Sequence, residues 1–527
     1  LLIKNKIHPD FRLWLTSMPS KAFPAVVLQN GVKVTNEPPK GLKANIHRSF
    51  TETITDDIYE GCSKEATWKK LLFGLSFFHG LIQERRKFGA IGWNIPYEWN
   101  DSDLRASVQS LRNYIEEQAT TPYKALSYII GVINYGGRVT DFLDLRCITA
   151  ILKMFFNPEI LSDDYVFQKK TPEYYAPPTG DKQSVISFIN TWPAYEDPAI
   201  FGLHSNANIN FQKKETRQMY DTIISIQPRT GSGGGGKSND EIVVEVAADI
   251  QDNLPKLLDK STAHKITFHK TDNGTVNTLG TVLGQEIDKF NKLLRTMDST
   301  ITDLRKATKG LVVMSGELEK MYEYFLYQKI PELWGKVAYP SLKSLAPWFK
   351  DLVERVKFLR NWLEFGPPKV FWISGLYFPQ GFLTGVLQGH SRRFKIPIDT
   401  IQYRVEVLNA LDPSEITKPA ETGVNIFGLY MEGAKWDNKN KELVESNKNE
   451  LFVKMPVIWL DIEIIEKSKI DRSIVFPCPV YKVSTRAGVL STTGQSTNYV
   501  LDLDLPSLSK PASHWVLRGV ALLTTLD

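Results

Sequence analysis

The strongest chemical pattern in the chain is Gly231-Ser232-Gly233-Gly234-Gly235-Gly236-Lys237-Ser238, which satisfies GxxxxGK[ST] letter for letter. In such a loop successive backbone N–H groups surround a phosphate, the Lys adds a point charge, and the Ser ligates magnesium at a helix N-terminus. Residues 241–250 read as the helix that should follow, with Ile242, Val243, Val246 and Ile250 on one face. A second half is offered by Val457-Ile458-Trp459-Leu460-Asp461, an apolar strand ending in a carboxylate. Three features oppose a nucleotide site. Gln227-Pro228-Arg229-Thr230 stands where a buried strand should run into the loop, and residues 213–220 are helical in pattern. Asp461 lies far along the sequence, across another subdomain. The glycine run is also costly to order without a ligand. A site using Gly231, Gly236, Lys237 and Ser238 stays as the alternative reading.

Other candidates are weaker. Asn134-Tyr135-Gly136-Gly137-Arg138-Val139-Thr140-Asp141 forms a tight turn that projects Arg138 from a helix end, toward a phosphate, toward Asp141 or onto a backbone carbonyl. Asp461 and Glu463, two apart on a strand, face one side but have no His or nucleophile placed near them. Residues 488–498 make a hydroxyl-rich turn without GxSxG. The run Glu84-Arg85-Arg86-Lys87 reads as a solvated charged face. No catalytic set is assembled. Neither CxxC nor HxxxH occurs, and His264 and His269, five apart, read as surface residues, so no metal site is expected.

Composition narrows the class. Lys+Arg number 64 against 59 Asp+Glu, a net of +5, too small and too dispersed for a nucleic-acid binder. Residues 1–50 alone carry eight basic and two acidic side chains, leaving the remainder nearly neutral. That basic stretch admits a third reading, an interaction module docking an acidic partner. Three cysteines, Cys62, Cys147 and Cys478, are too few and too scattered for a disulfide framework, which points to a reducing cytoplasmic compartment. The longest apolar stretch, residues 71–82, is too short to span a bilayer, so no membrane partner is expected. A sequence opening at Leu1 inside an apolar segment is expected of a fragment.

The elements that must position these groups differ in character from one region to the next. Alternation at Phe11, Leu13 and Leu15, then Val26-Val27-Leu28 before Asn30-Gly31, predicts strand–turn–strand pieces in residues 1–50. Residues 51–160 predict four helices. The first is capped by Thr67 and carries Leu71, Leu75, Phe78 and Ile82 on one face; the second opens at Asp101-Ser102-Asp103, the third begins after Pro122, and the fourth includes Phe142, Leu145, Ile148, Leu152 and Phe155. Residues 161–185, polar and Pro-bearing, read as a linker. Leu283, Ile287, Phe290, Leu294, Met297, Ile301 and Leu304 form a heptad seam, read as one long helix packed in a bundle. From Gly366 onward short apolar runs between Gly/Pro turns predict a partly closed sheet or barrel ending in a strand over 515–523, with one helix near 382–394.

Several longer words resemble dynein heavy chains. His8-Pro9-Asp10-Phe11-Arg12-Leu13-Trp14-Leu15-Thr16 and Asn36-Glu37-Pro38-Pro39-Lys40-Gly41-Leu42 are similar to the end of the sixth AAA+ module. Gln83-Glu84-Arg85-Arg86-Lys87-Phe88-Gly89, Gly92-Trp93-Asn94-Ile95-Pro96-Tyr97 and residues 134–141 resemble its helical lid. Phe201-Gly202-Leu203-His204, Asn206-Ala207-Asn208-Ile209, the 233–238 run, Gly366-Pro367-Pro368-Lys369-Val370-Phe371-Trp372, Phe378-Pro379-Gln380, Gly433-Ala434-Lys435-Trp436-Asp437 and Arg518-Gly519-Val520-Ala521-Leu522-Leu523 resemble the C-terminal domain. The style is nearest axonemal heavy chains of the inner-arm kind.

The resemblance implies an α+β multidomain protein. Residues 1–50 would be a remnant of the sixth AAA+ α/β large subdomain, 51–160 its helical lid and 161–185 a linker. Residues 186–365 would be the helical half of the C-terminal domain and 366–527 its strand-rich, barrel-like half. It further implies an ATP-driven, minus-end-directed microtubule motor of cilia and flagella, with ATP and magnesium held in other modules and no cofactor in this segment. The segment would be structural and regulatory, with Arg138 at a sensor-like lid position. Implied partners are the remaining AAA+ modules, microtubules through the parent chain, and intermediate and light chains, in the axonemal cytoskeleton.

Overall fold

The structure is a computed structural model that describes residues 8–17, 23–34, 39–226, 238–269, 277–468, 470–492 and 496–526. It divides into two units, Leu1–Lys40 and Gly41–Asp527.

In the first unit the only regular element among the described residues is a short helix, α1 (Ala25–Asn30), where strands were expected. Residues 8–17 form no strand. Period-two alternation becomes a strand only when a neighbour supplies the ladder, and none does so among the described residues. Phe11, Leu13, Leu15 and Val32 are all exposed.

The second unit opens with a helical bundle built from α2 (Leu42–Arg48), α3 (Asp56–Glu60), α4 (Glu65–Arg85), α5 (Asp101–Glu117), α6 (Tyr123–Tyr128) and α7 (Phe142–Leu152). The helix α4 starts at Glu65, two residues ahead of the expected Thr67 cap, and is buried on almost every side, including Lys69 and Lys70. Asn100 and Asp103 close a capping box on α5, and Asp141 caps α7 by accepting the amides of Leu143 and Asp144. Residues 161–185 are irregular in backbone yet pack against the bundle. Val166 and Tyr175 form an antiparallel bridge, and Phe167 and Tyr174 are buried. The Phe167 ring centroid lies 4.8 Å from those of both Phe77 and Phe155. Proline and polar letters mark irregular backbone here, not unpacked backbone.

After α8 (Lys182–Asn190), α9 (Ala207–Ile226) and α10 (Asn239–Asp252) comes the long α11 (Thr278–Thr308), about 46 Å at 1.5 Å per residue. Its heptad seam is fully buried within the protein, from Leu283 to Leu304, so the bundle reading holds. The helices α12 (Gly316–Leu326), α13 (Glu332–Gly335) and α14 (Leu345–Phe365) surround it, with Trp334 and Trp348 stacked in the core.

The last third is mixed. Its elements are β1 (Phe371–Trp372), α15 (Pro379–Phe394), β2 (Ile401–Val407), β3 (Val424–Phe427), β4 (Tyr430–Glu432), β5 (Lys435–Asp437), β6 (Glu442–Val444), β7 (Phe452–Lys454), β8 (Ile458–Ile464), β9 (Val475–Tyr481), β10 (Tyr499–Pro506), α16 (Ala512–Arg518) and β11 (Ala521–Leu523). Two sheets form, ordered β1-β3-β8-β2 and β10-β9-β11-β4-β7, beside a β5-β6 hairpin. Neither sheet closes on itself, so the expected barrel is replaced by open sheets. The final apolar run also departs from expectation. Trp515 and Val516 sit on α16, which Gly519 stops in the left-handed region, and only β11 is a strand.

Candidate functional site: a clasp between the bundle and the last helix

The loop residues Gly231, Gly236 and Lys237 lie outside the described residues. Their neighbour Ser238 is described and is a helix cap. Its hydroxyl accepts the Glu241 amide at 3.2 Å, and the Glu241 carboxylate accepts the Ser238 amide at 2.7 Å. That carboxylate occupies the N-terminus of α10 where a phosphate would have to sit, with Asp240 beside it. The element before the loop is the helix α9, not a strand. Asp461 is spent on structure, pairing with Arg404 at 2.7 Å and accepting the Thr422 hydroxyl. Glu463 accepts the Gln402 amide at 2.9 Å. In the 488–498 turn Ser496 donates to the Arg486 carbonyl. His264 and His269 are exposed.

Arg138 takes a partner that the spacing did not offer. Its Nε meets both Asp103 oxygens, at 2.9 and 3.0 Å, while Asp141 serves as the α7 cap. The Arg138 side chain is 43% exposed, so this pair contributes little to stability. A cleft of about 330 Å³ between α11 and α15 is walled mainly by hydroxyl and amide side chains such as Thr278, Gln285 and Gln380. Arg392 is the one charged residue among those described in its wall, which leaves no acid–base pair there.

The densest polar chemistry lies elsewhere, where the end of α4 meets α16. Arg85 is fully buried at the last turn of α4, and it continues the apolar seam Leu71, Leu75, Phe78, Ile82. Its guanidinium donates to three carbonyl oxygens: Gly92 at 2.9 Å, Leu517 at 2.8 Å, and Phe201. The charge run around it divides three ways. Arg86 pairs with Glu98 at 3.0 Å and Lys87 with Glu196 at 2.8 Å, whereas Arg85 turns inward. From the opposite side Arg518 donates to the Gly202 carbonyl at 2.8 Å and to Glu445 at 3.0 Å. Arg486 bonds Glu432, the Gly519 carbonyl at 2.7 Å and Asn94 at 3.3 Å. Three separate words of the sequence, 83–89, 201–204 and 518–523, therefore converge on one spot.

Burial tunes the acids around this clasp. Asp144 accepts the amides of Asn94 and Ile95 at 3.0 and 3.1 Å, yet burial, with Asp141 nearby, pushes its carboxyl up to about 7. Glu445 is partly buried, but its bonds to His514 and Arg518 outweigh that and hold it down near about 2. Gly519 has φ 66°, and a Cβ there would lie 2.2 Å from the Ile91 carbonyl oxygen, so the last helix seats directly on bundle backbone. The arrangement is directional, and the Arg486 Nε is left without a hydrogen-bond partner. It can fix two parts of the molecule in one register.

Sequence comparison assigns the class. Residues 213–524 match the C-terminal domain of dynein heavy chains, residues 68–207 their AAA lid domain, and residues 2–35 their region D6 P-loop domain. The first match alone covers more than half of the sequence, and the protein belongs to the dynein heavy chain family. Among curated relatives, it is 46% identical over 526 residues to dynein axonemal heavy chain 1 of Rattus norvegicus, covering 99% of this chain and 11% of that protein. It is 44% identical over 551 residues to dynein axonemal heavy chain 6 of Homo sapiens, covering 100% and 13%. It is 45% identical over 527 residues to dynein axonemal heavy chain 12 of Mus musculus, covering 99% and 17%. The chain thus spans between about a tenth and a sixth of the length of these relatives.

Proposed function

We propose that this chain is the C-terminal part of an axonemal dynein heavy chain of the inner-arm kind, within a motor that moves toward microtubule minus ends in cilia and flagella. ATP and magnesium act in other AAA+ modules. Residues 1–50 are the end of the sixth module's large subdomain and 51–160 its lid. Residues 161–185 connect them to the C-terminal domain, whose helical and strand-rich halves span 186–365 and 366–527. The segment closes the ring and carries load, with Arg138 at a sensor-like position that pairs with Asp103 in place of a nucleotide. Its partners are the other AAA+ modules, microtubules through the parent chain, and intermediate and light chains, in a reducing cytoskeletal compartment.

One observation carries the mechanical reading: Arg85, Arg518 and Gly519 lock the bundle onto the last helix through bonds aimed at backbone carbonyls. The similarity to axonemal heavy chains along the whole sequence supplies the motor context. The nucleotide alternative is disfavoured by the Glu241 carboxylate at the N-terminus of α10. The deciding experiment is equilibrium titration of the 527-residue protein with Mg-ATP, with turnover measured in parallel. No saturable binding and no hydrolysis are expected, for the wild type and for Lys237→Ala alike. Hydrolysis abolished by Lys237→Ala would overturn the reading and install the phosphate loop as a working site.

A further inference from the structure

Four consecutive apolar side chains stand in solvent where α11 turns into α12. Leu311 is 73% and Val313 88% exposed, and Val312 and Met314 beside them are exposed as well. The turn that carries them is fixed at both ends. Gly310, at φ 71°, closes a Schellman motif, with its own amide on the Ala307 carbonyl and the Leu311 amide on the Lys306 carbonyl, both at 2.9 Å. At the other end the Ser315 hydroxyl accepts the Leu318 amide at 3.3 Å and caps α12. Ala307 and Leu318, on either side of the turn, are buried. The four residues between the caps therefore project on an ordered backbone.

An exposed apolar run of this length is a liability unless something covers it. The patch amounts to a few hundred Å², whereas a stable contact between free proteins needs about 800 Å² on each side. A second copy of this chain would be held too weakly by so small a patch. A partner joined to the turn in one polypeptide is held adequately, because the contact is then intramolecular, and an already ordered turn loses little freedom on docking. Relatives supply ample chain for such a partner, since this one spans between about a tenth and a sixth of their length. Charges on the flanks are mixed, Lys306 and Lys309 against Glu317 and Glu319, so the match is made by apolar surface and not by charge. Resting on the reading that this segment closes the ring of a longer heavy chain, we propose that residues 311–314 dock into an apolar pocket of another AAA+ module of the same polypeptide. The turn is carried by α11, whose seam is buried from Leu283 to Leu304, so load taken at the tip enters the core of the helical half directly.

Val313→Cys tests the contact. The native thiols of Cys62, Cys147 and Cys478 are all buried, and a side chain as exposed as Val313 can be replaced without disturbing packing. Maleimide labelling of the peptide bearing residue 313 is compared by mass spectrometry between the folded 527-residue protein and the heavy chain that contains it. Labelling should be fast in the first and about tenfold or more slower in the second, where reaction waits for the contact to open. Equal rates would overturn the assignment, as would protection already present in the 527-residue protein or growing with its concentration. A benzophenone attached to the same thiol should crosslink within the heavy chain to a peptide outside these 527 residues, and a crosslink to a separate polypeptide would also overturn it. A source-cell polypeptide no larger than the 527-residue protein on a denaturing gel would instead refute the ring reading itself, whatever the labelling shows.

Discussion

Replacing Gly519 by Ala separates the clasp from ordinary backbone strain. Gly519 ends α16 at φ 66° and ψ 32°, with its amide on the Val516 carbonyl and the Val520 amide on the Trp515 carbonyl, both at 3.1 Å. A non-glycine residue in that conformation costs about 1–2 kcal/mol. A Cβ would also stand 2.2 Å from the Ile91 oxygen and 2.9 Å from its Cγ1, distances no real contact tolerates. Forcing the helix and the bundle backbone apart adds about 1–3 kcal/mol of overpacking. The sum is about 2–5 kcal/mol, or roughly 30-fold to several thousandfold in local opening. Gly310 supplies the control. It has φ 71° and nothing within 4 Å of its built Cβ, so Gly310→Ala carries the conformational cost alone. Native-state hydrogen exchange should show Gly519→Ala deprotecting both 85–95 and 512–523. Gly310→Ala should act only near the end of α11, by about five- to thirtyfold. Equal losses in the two variants would refute the clasp, as would an effect of Gly519→Ala confined to α16.

Further predictions concern buried charge. Arg85→Met keeps the stem but leaves the carbonyls of Gly92, Phe201 and Leu517 without their donor. It should lower stability by about 3–5 kcal/mol, read as a shift in the urea midpoint; an unchanged midpoint would remove Arg85 from the clasp. Glu286 on α11 is buried against the start of α15, and although it accepts the amides of Tyr377 and Phe378, burial raises its carboxyl to about 7. Its folded value lies above its unfolded one, so its contribution is full below about pH 4.3 and is lost as pH climbs through about 7. The urea midpoint should therefore fall between about pH 5 and about pH 8, and Glu286→Gln should flatten part of that fall, Asp144 supplying the rest. Parallel pH profiles for wild type and variant would show that Glu286 is already ionised in the folded protein.

Legibility in the sequence followed how local each signal was. The seam on α11 and the helix opening at Asp101-Ser102-Asp103 are short-range patterns, and they name their elements correctly. The alternation at Phe11, Leu13 and Leu15 is equally local, but a strand also needs a pairing neighbour, which no local pattern specifies. Trp515 to Leu523 failed for a related reason: an apolar run of that length fits a buried helix or a strand, and the left-handed Gly519 decides between them. The phosphate-loop letters were legible, whereas the Ser238–Glu241 capping box that claims the same hydroxyl came only from the structure. Arg85 was hidden inside a charged run. The signal that identifies it is its spacing, since 71, 75, 78, 82 and 85 lie on one helical stripe and an Arg on such a stripe must find buried acceptors. Arg486 and Glu445 carried no comparable signal, because their partners come from distant parts of the sequence.

The choice of chemistry at the clasp follows from what the junction has to resist. An apolar patch of the same area would stabilise contact, yet apolar contact is non-directional and allows one surface to slide over another. Arg85, Arg518 and Arg486 instead aim at carbonyls and carboxylates whose positions are set by backbone, and Gly519 removes the side chain that would hold those backbones apart. Any shift by a helical step breaks several of these bonds together and leaves buried charges unpaired, which costs far more than the bonds contribute in place. The Arg85–Leu517 bond also closes a sequence separation of 432 residues. The last helix is therefore held by the bundle in one register, and strain applied to either reaches the other without a hinge between them.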